Sequence, residues 1–274
     1  MHKVWIGAGW KMNHTLPEAE AYAIALRQFI ESSQPSMGVF VVPPYTVLHR
    51  VSSLLKETPI MVGAQNMHWE ERGAHTGEIS PLMLKDCGVS LVELGHCERR
   101  LHFGETDKAV NLKTLAALRH GLRPLICVGE TVEEGEYGVA YPALARQVRI
   151  ALCGVPSEQV RHVMFAYEPA WAIGDGGTPA DPDSVRGAVA WLRSQVADAY
   201  TEQAAGEIAI LYGGSVSQEN AHLYLSQPGV DGLFIGRAAW KAEDFVAIIH
   251  SIEVTVANTR LGKGVADHDD SDRK

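Results

Sequence analysis

The chain has 274 residues, 46% of them hydrophobic and 21% charged, which is ordinary globular composition with room for one large α/β core or two small ones. Its net charge of −9 argues against sequence-independent nucleic-acid binding, which needs a basic surface. A few local donors could still hold an anionic small molecule. No apolar run reaches the ~20 residues of a membrane-spanning helix.

The chain opens Met1-His2-Lys3-Val4-Trp5-Ile6-Gly7, whose apolar part is too short for a signal peptide and reads as a strand. Apolar runs follow at 4–8, 38–42, 61–64, 91–94, 123–128, 163–167, 208–212 and 232–235. Runs that read as nearly continuous apolar stretches of this length are the mark of strands buried on both faces of a parallel sheet. The stretches between them are helical in pattern. Thr15 and Glu18 form a capping box ahead of Tyr22, Leu26, Phe29 and Ile30, which share one helix face. Asp181-Pro182 supplies an N-cap and a first-turn proline before Val185, Val189, Leu192 and Val196. Phe245, Ile248, Ile249 and Ile252 make a last apolar stripe. Eight such units without a break in composition predict a single-domain (β/α)8 barrel over 1–256, with 257–274 a polar, mobile tail. The alternative, a doubly wound open sheet, lacks the GxGxxG signature after the first strand.

The four cysteines, Cys87, Cys97, Cys127 and Cys153, form no CxxC pair, which predicts a reduced, cytoplasmic protein. Twelve histidines occur with no HxH or HExxH spacing, so no metal site and no cofactor is expected.

In an eight-stranded barrel, function sits where strands end. The first strand runs into Lys11, the fourth into His96 and the sixth into Glu168. Each of the first two alone reads more readily as a surface or structural residue. A carboxylate following Val-Met-Phe-Ala-Tyr is harder to dismiss, because burying it without a partner is costly. The glycine clusters at 174–177 and 213–214, and Gly236, could be turns, or could expose backbone N–H groups to a phosphate. Together these residues fit proton abstraction beside a carbonyl, with a carboxylate as base and an imidazole and an ammonium stabilising the enediolate.

Seven motifs in order, Trp10-Lys11-Met12-Asn13, Gly63-Ala64-Gln65-Asn66, Thr76-Gly77-Glu78, Gly95-His96 with Glu98-Arg99-Arg100, Cys127-Val128-Gly129-Glu130, Tyr167-Glu168-Pro169-Ala170-Trp171-Ala172-Ile173-Gly174 and Tyr212-Gly213-Gly214-Ser215-Val216, resemble the triosephosphate isomerase family. That family is itself a worked case of acid–base tuning, so the following roles are those the resemblance implies. Glu168 would remove the proton. Neutral His96 would polarise the carbonyl and shuttle protons, and Lys11, partnered by Glu98, would hold the developing charge. Backbone amides at Gly174, Ser215, Gly236 and Arg237 would grip the phosphate under a lid at 169–179. A loop at 67–80 would make a homodimer, with Thr76 reaching the partner's site.

The chain departs from the family pattern at Gly9, where asparagine is usual, at Cys97 in place of serine, in the lid sequence 174–179 and at Arg237 in place of glycine. Gly9 is expected to leave an empty volume beside Lys11 that admits one more hydroxymethyl group than a triose phosphate carries. Gly9→Asn would then hurt the larger substrate and spare the triose. The segments 65–69, 76–84, 231–237 and Val92-Glu93-Leu94-Gly95-His96 resemble the L-erythrulose-1-phosphate isomerase subgroup, which interconverts that compound with D-erythrulose 4-phosphate. The alternatives are a glycolytic triosephosphate isomerase and an inactive barrel that binds a phosphate metabolite or a protein.

Overall fold

Every apolar run of the sequence becomes a strand in the computed structural model, which describes residues 4–174 and 176–266, with side chains described through residue 254. The strands are β1 (Trp5–Gly9), β2 (Gly38–Val42), β3 (Met61–Ala64), β4 (Leu91–Leu94), β5 (Arg123–Val128), β6 (Met164–Tyr167), β7 (Ala209–Tyr212) and β8 (Gly232–Ile235). Each pairs in parallel with the next, and β1 closes on β8 with Trp5 opposite Gly232 and Ala8 opposite Ile235. Helices fill the intervals, giving the expected (β/α)8 barrel.

Local chemistry sets the helix starts. The Glu18 carboxylate accepts hydrogen bonds from the Thr15 N–H and hydroxyl, both at 2.7 Å, ahead of the helix Leu16–Ser33. Asp181 accepts from the Ser184 N–H at 3.0 Å and opens the helix Pro182–Ala199. Their apolar stripes, Tyr22, Leu26 and Ile30 in one and Val185, Val189, Leu192 and Val196 in the other, are buried against the barrel's outer face. The last helix spans Ala242–Ala266 and buries Phe245, Ile248, Ile249 and Ile252. It therefore runs past residue 256, and 267–274 of the expected tail lie outside the described residues. Among the described residues no helix is long and apolar enough to cross a membrane.

Strand alternation sends the other set of side chains inward. Phe40, Val42, Leu91, Leu125, Cys127, Met164, Ala166, Leu211 and Phe234 form a separate cluster inside the barrel. Strand β1 contributes Gly7 and Gly9 where larger residues would be expected. A Cβ on Gly7 would lie 2.0 Å from the Phe40 ring, and one on Gly9 would lie 3.0 Å from the Phe234 ring. The two rings stack with centroids 5.6 Å apart. Side chains from β2 and β8 thus fill the volume that β1 leaves, and Phe234 becomes part of the floor on which the site rests.

Candidate active site

The C-terminal strand ends and the loops after them enclose a cavity of about 620 Å³, in the range of small-molecule sites. Lys11, Gly9, His96, Glu98, Glu168, Gly174, Ser215, Gly236 and Arg237 all line it. Thr76 does not: it is exposed, within a stretch from 70 to 78 that is exposed throughout.

Lys11 follows β1 with φ of 52°, in the left-handed region that costs a non-glycine residue energy. Gln65 holds it there, its Nε2 donating to the carbonyls of Lys11 (2.8 Å) and Val42 (3.1 Å). The Lys11 ammonium donates to Glu98 Oε1 at 2.6 Å. Burial works against its charge, but the Glu98 carboxylate outweighs that and holds the Lys11 pKa above its ordinary value. The lysine therefore stays a cation across the neutral range.

His96 caps the helix Cys97–Phe103, its Nδ1 accepting from the Glu98 N–H at 3.2 Å. That bond assigns the ring proton to Nε2. Burial, reinforced by the Lys11 charge, lowers its pKa to about 4, so the ring is neutral at physiological pH. Nε2 faces Glu168 Oε2 at 3.5 Å.

Glu168, only 3% exposed, follows β6, its N–H bonded to the Val128 carbonyl at 2.7 Å. Two glycines make room for it. A Cβ on Gly129 would fall 1.9 Å from the Glu168 carbonyl oxygen, and one on Gly213 would fall 2.7 Å from Oε1. The Oε2 atom is buried without a hydrogen-bond partner. Burial raises the pKa of this carboxyl to about 8, with Lys11 opposing. A carboxylate so placed is a strong base, because water does not stabilise its charge.

The opposite wall is glycine-rich. Gly174 has φ of 87°, and the Ser215 hydroxyl donates to the carbonyls of Ala172 (2.8 Å) and Gly177 (3.1 Å), tying the 169–179 loop to the end of β7. Trp171 Nε1 and the Tyr167 hydroxyl both donate to Glu130 Oε1, at 3.0 and 3.2 Å, anchoring the loop's base. Gly236 and Arg237 lead into the short helical turn Arg237–Ala239. Among the described residues, His96, Cys97 and Glu168 offer ligand atoms within 4.8 Å of one another. Their chemistry suits proton transfer better than metal binding, because burial first, and then the Glu168 charge, push the Cys97 thiol up to about 12 and the thiolate is the ligand.

Comparison with known proteins agrees with this geometry. The family model described as triosephosphate isomerase matches residues 4–252. The chain belongs to the triosephosphate isomerase family. Among curated relatives, the L-erythrulose-1-phosphate isomerase of Rhizobium rhizogenes (strain K84) is 49% identical over 249 residues, 90% of this chain and 94% of its own. Proteins of that name from Brucella abortus biovar 1 (48% identical, 91% and 96% covered) and Mesorhizobium japonicum (50%, 89% and 95%) are equally similar.

One expectation about this family member is corrected. Gly9 leaves less volume than expected, because a Cβ there would already stand 3.0 Å from the Phe234 ring, tighter than ordinary contact. The extra room was inferred from β1 alone, whereas the Phe234 ring of the neighbouring strand crowds it. Gly9→Asn is therefore expected to overpack the floor and destabilise the fold by about 1–3 kcal/mol, lowering Tm and turnover on tetrulose and triose alike. Adding Phe234→Leu should restore much of the Tm. A Gly9→Asn variant with wild-type Tm would refute this packing account.

Four lining or supporting residues of this triosephosphate isomerase fold have roles that were not read from the sequence. Gln65 and Phe234 stand in segments that carry the family resemblance, but their contacts come from distant strands. The same holds for Trp240, whose Nε1 donates to the Gly9 carbonyl at 3.1 Å. Glu93 is different: an acid inside the apolar run 91–94 is a visible anomaly.

Proposed function

We propose that this triosephosphate isomerase family member is a cofactor-free sugar-phosphate isomerase, and that its substrate pair is L-erythrulose 1-phosphate and D-erythrulose 4-phosphate. One observation carries the chemistry. A buried carboxylate with an unpartnered oxygen, a neutral imidazole with its proton on Nε2 and a lysine cation face one cavity. Glu168, in its ionised form, takes the proton from the carbon beside the carbonyl. His96 donates from Nε2 to the carbonyl oxygen and passes protons between the two oxygens. Lys11 stabilises the enediolate charge. The proton then returns to the neighbouring carbon, and the carbonyl has moved by one position. No redox partner is needed, because the oxidation of one carbon balances the reduction of the next.

Backbone N–H groups at Gly174, Ser215, Gly236 and Arg237 hold the phosphate, and Gly9 forms the wall beside Lys11. The 169–179 loop closes over the site and keeps water from the enediolate. Support for the four-carbon substrate comes from relatives named for it that match this chain at 48–50% identity over about 90% of its length. The residues 1–256 form the isomerase unit and 257–274 an appended tail. The 67–80 loop, exposed over 70–78, makes a homodimer, with Thr76 as its reaching residue, and four free cysteines fit a cytoplasmic location.

The test is a side-by-side steady-state assay. L-Erythrulose 1-phosphate is expected to exceed dihydroxyacetone phosphate in kcat/KM by at least about tenfold, the ~1.4 kcal/mol that one small group can discriminate. A faster triose reaction would make this a triosephosphate isomerase in the strict sense. No turnover of either would leave a binding barrel.

A further inference from the structure

Glu93 is a buried acid that none of the proposed chemical steps uses. It points inward from β4 in alternation with Leu91, which belongs to the interior cluster, while Val92 and Leu94 pack outward against the helices. It is 6% exposed, and what surface it keeps lines the active cavity. Its side-chain neighbour is the Cys127 thiol, Sγ lying 3.8 Å from Oε1. Burial first, and then the charge of Glu168, push its pKa well above the ordinary carboxylate value, against the pull of Lys11. Burial at the cavity wall therefore favours the protonated form of Glu93. Such a group both donates and accepts a hydrogen bond, as a hydroxyl does. Glu168 is already the base, His96 the electrophile, and Lys11 is paired with Glu98, so proton transfer leaves Glu93 without a task.

The barrel's topology indicates one. Strand β4 lies across the closed barrel from β8, and β8 leads into Gly236 and Arg237 on the phosphate side. A substrate gripped there by its phosphate extends its other end toward β4. A tetrulose phosphate differs from a triose phosphate by one hydroxymethyl group, carried on the reacting carbon farther from the phosphate. Beside β1 the Phe234 ring, 3.0 Å from where a Cβ on Gly9 would stand, narrows the other place where that group could be accommodated.

We propose that Glu93 is a specificity-determining residue that hydrogen-bonds the terminal hydroxyl of the substrate's additional hydroxymethyl group. This rests on the tetrulose reading above. A triose phosphate would leave the cavity-facing side of the carboxyl without the hydroxyl partner, and a site built to bond a hydroxyl rejects the ligand that lacks it.

The test compares the wild-type enzyme, Glu93→Leu and Glu93→Gln on three compounds: L-erythrulose 1-phosphate, its 4-deoxy analogue and dihydroxyacetone phosphate. In the wild type the 4-deoxy analogue should lose kcat/KM on the order of 10- to 100-fold relative to the parent. Glu93→Leu should lose a similar factor on the parent and little more on the 4-deoxy analogue, with a much smaller change on the triose. Glu93→Gln, whose amide also donates and accepts, should keep most of the preference for the parent. An equal fall on all three compounds in Glu93→Leu would mark a merely structural residue and overturn the proposal. So would a wild type indifferent to the 4-hydroxyl. If Glu93→Leu does not fold, the wild-type pair and Glu93→Gln decide: a Gln variant that has lost all discrimination between parent and 4-deoxy analogue overturns it. The two levels of inference fail differently. A wild type faster on dihydroxyacetone phosphate defeats the tetrulose reading itself. A wild type that prefers the tetrulose, with the preference unchanged in Glu93→Leu, defeats the Glu93 role alone.

Discussion

Glu168→Gln is expected to lower kcat by about 10²- to 10⁴-fold on whichever sugar phosphate the enzyme prefers, the range for loss of a positioned general base. The amide keeps the shape of the side chain but cannot accept the proton. Because glutamine is isosteric and Gly213 still leaves room for a side chain of this shape, the variant should fold, and it carries a second signature. The folded carboxyl has its pKa raised to about 8, against an ordinary value of 4.5. Between those pH values the unfolded chain has released this proton while the folded chain still holds it, so stability falls as pH rises. Glutamine never ionises and escapes that loss. The Tm of Glu168→Gln minus that of wild type should be near zero at pH 4 and grow positive toward pH 8 and above. Thermal melts across that range measure it, and a pH-independent difference would show that burial does not tune this group.

The second large effect is at Lys11. Lys11→Met should lower kcat/KM by about 10²- to 10³-fold, the scale for removing one preorganised group from a developing oxyanion. Methionine retains the unbranched bulk, so the loss reports charge. Glu98, the partner left behind, keeps 40% of its side-chain surface exposed. Water can therefore solvate it, and Tm should change little. A fall in activity that tracks a comparable fall in Tm would assign Lys11 a structural role. The strained backbone at φ 52° is consistent with a catalytic one, since the fold holds the residue there through Gln65.

Much of the architecture was legible because buried parallel strands leave a signal that survives without context. Runs 38–42, 61–64, 91–94, 123–128 and 232–235 coincide with their strands residue for residue, runs 163–167 and 208–212 begin one residue early, and run 4–8 is shifted by one residue at both ends. The capping residues Thr15 and Asp181 were readable for a similar reason, since a cap is a contact between residues three apart. The strand-end rule then placed Lys11, His96 and Glu168 at one mouth, and all three line the cavity.

The misreading at Gly9 has the opposite origin. A missing side chain in one strand says nothing of which neighbour occupies the space, and Phe234 lies more than two hundred positions away along the chain. The neutral state of His96 and the unpartnered Oε2 of Glu168 likewise depend on burial and on the charges that folding gathers around them. Glu93 falls between the two cases: its presence in an apolar run was visible, but its exposure to the cavity was not. By itself, then, the sequence determined the strands, the helix starts, the barrel and the residues able to carry a proton, because these follow from periodicity and near neighbours. Only the tertiary structure decided which volumes are crowded, which acids are buried and which side chains meet at one cavity, because packing and desolvation are properties of what closure of the barrel brings together.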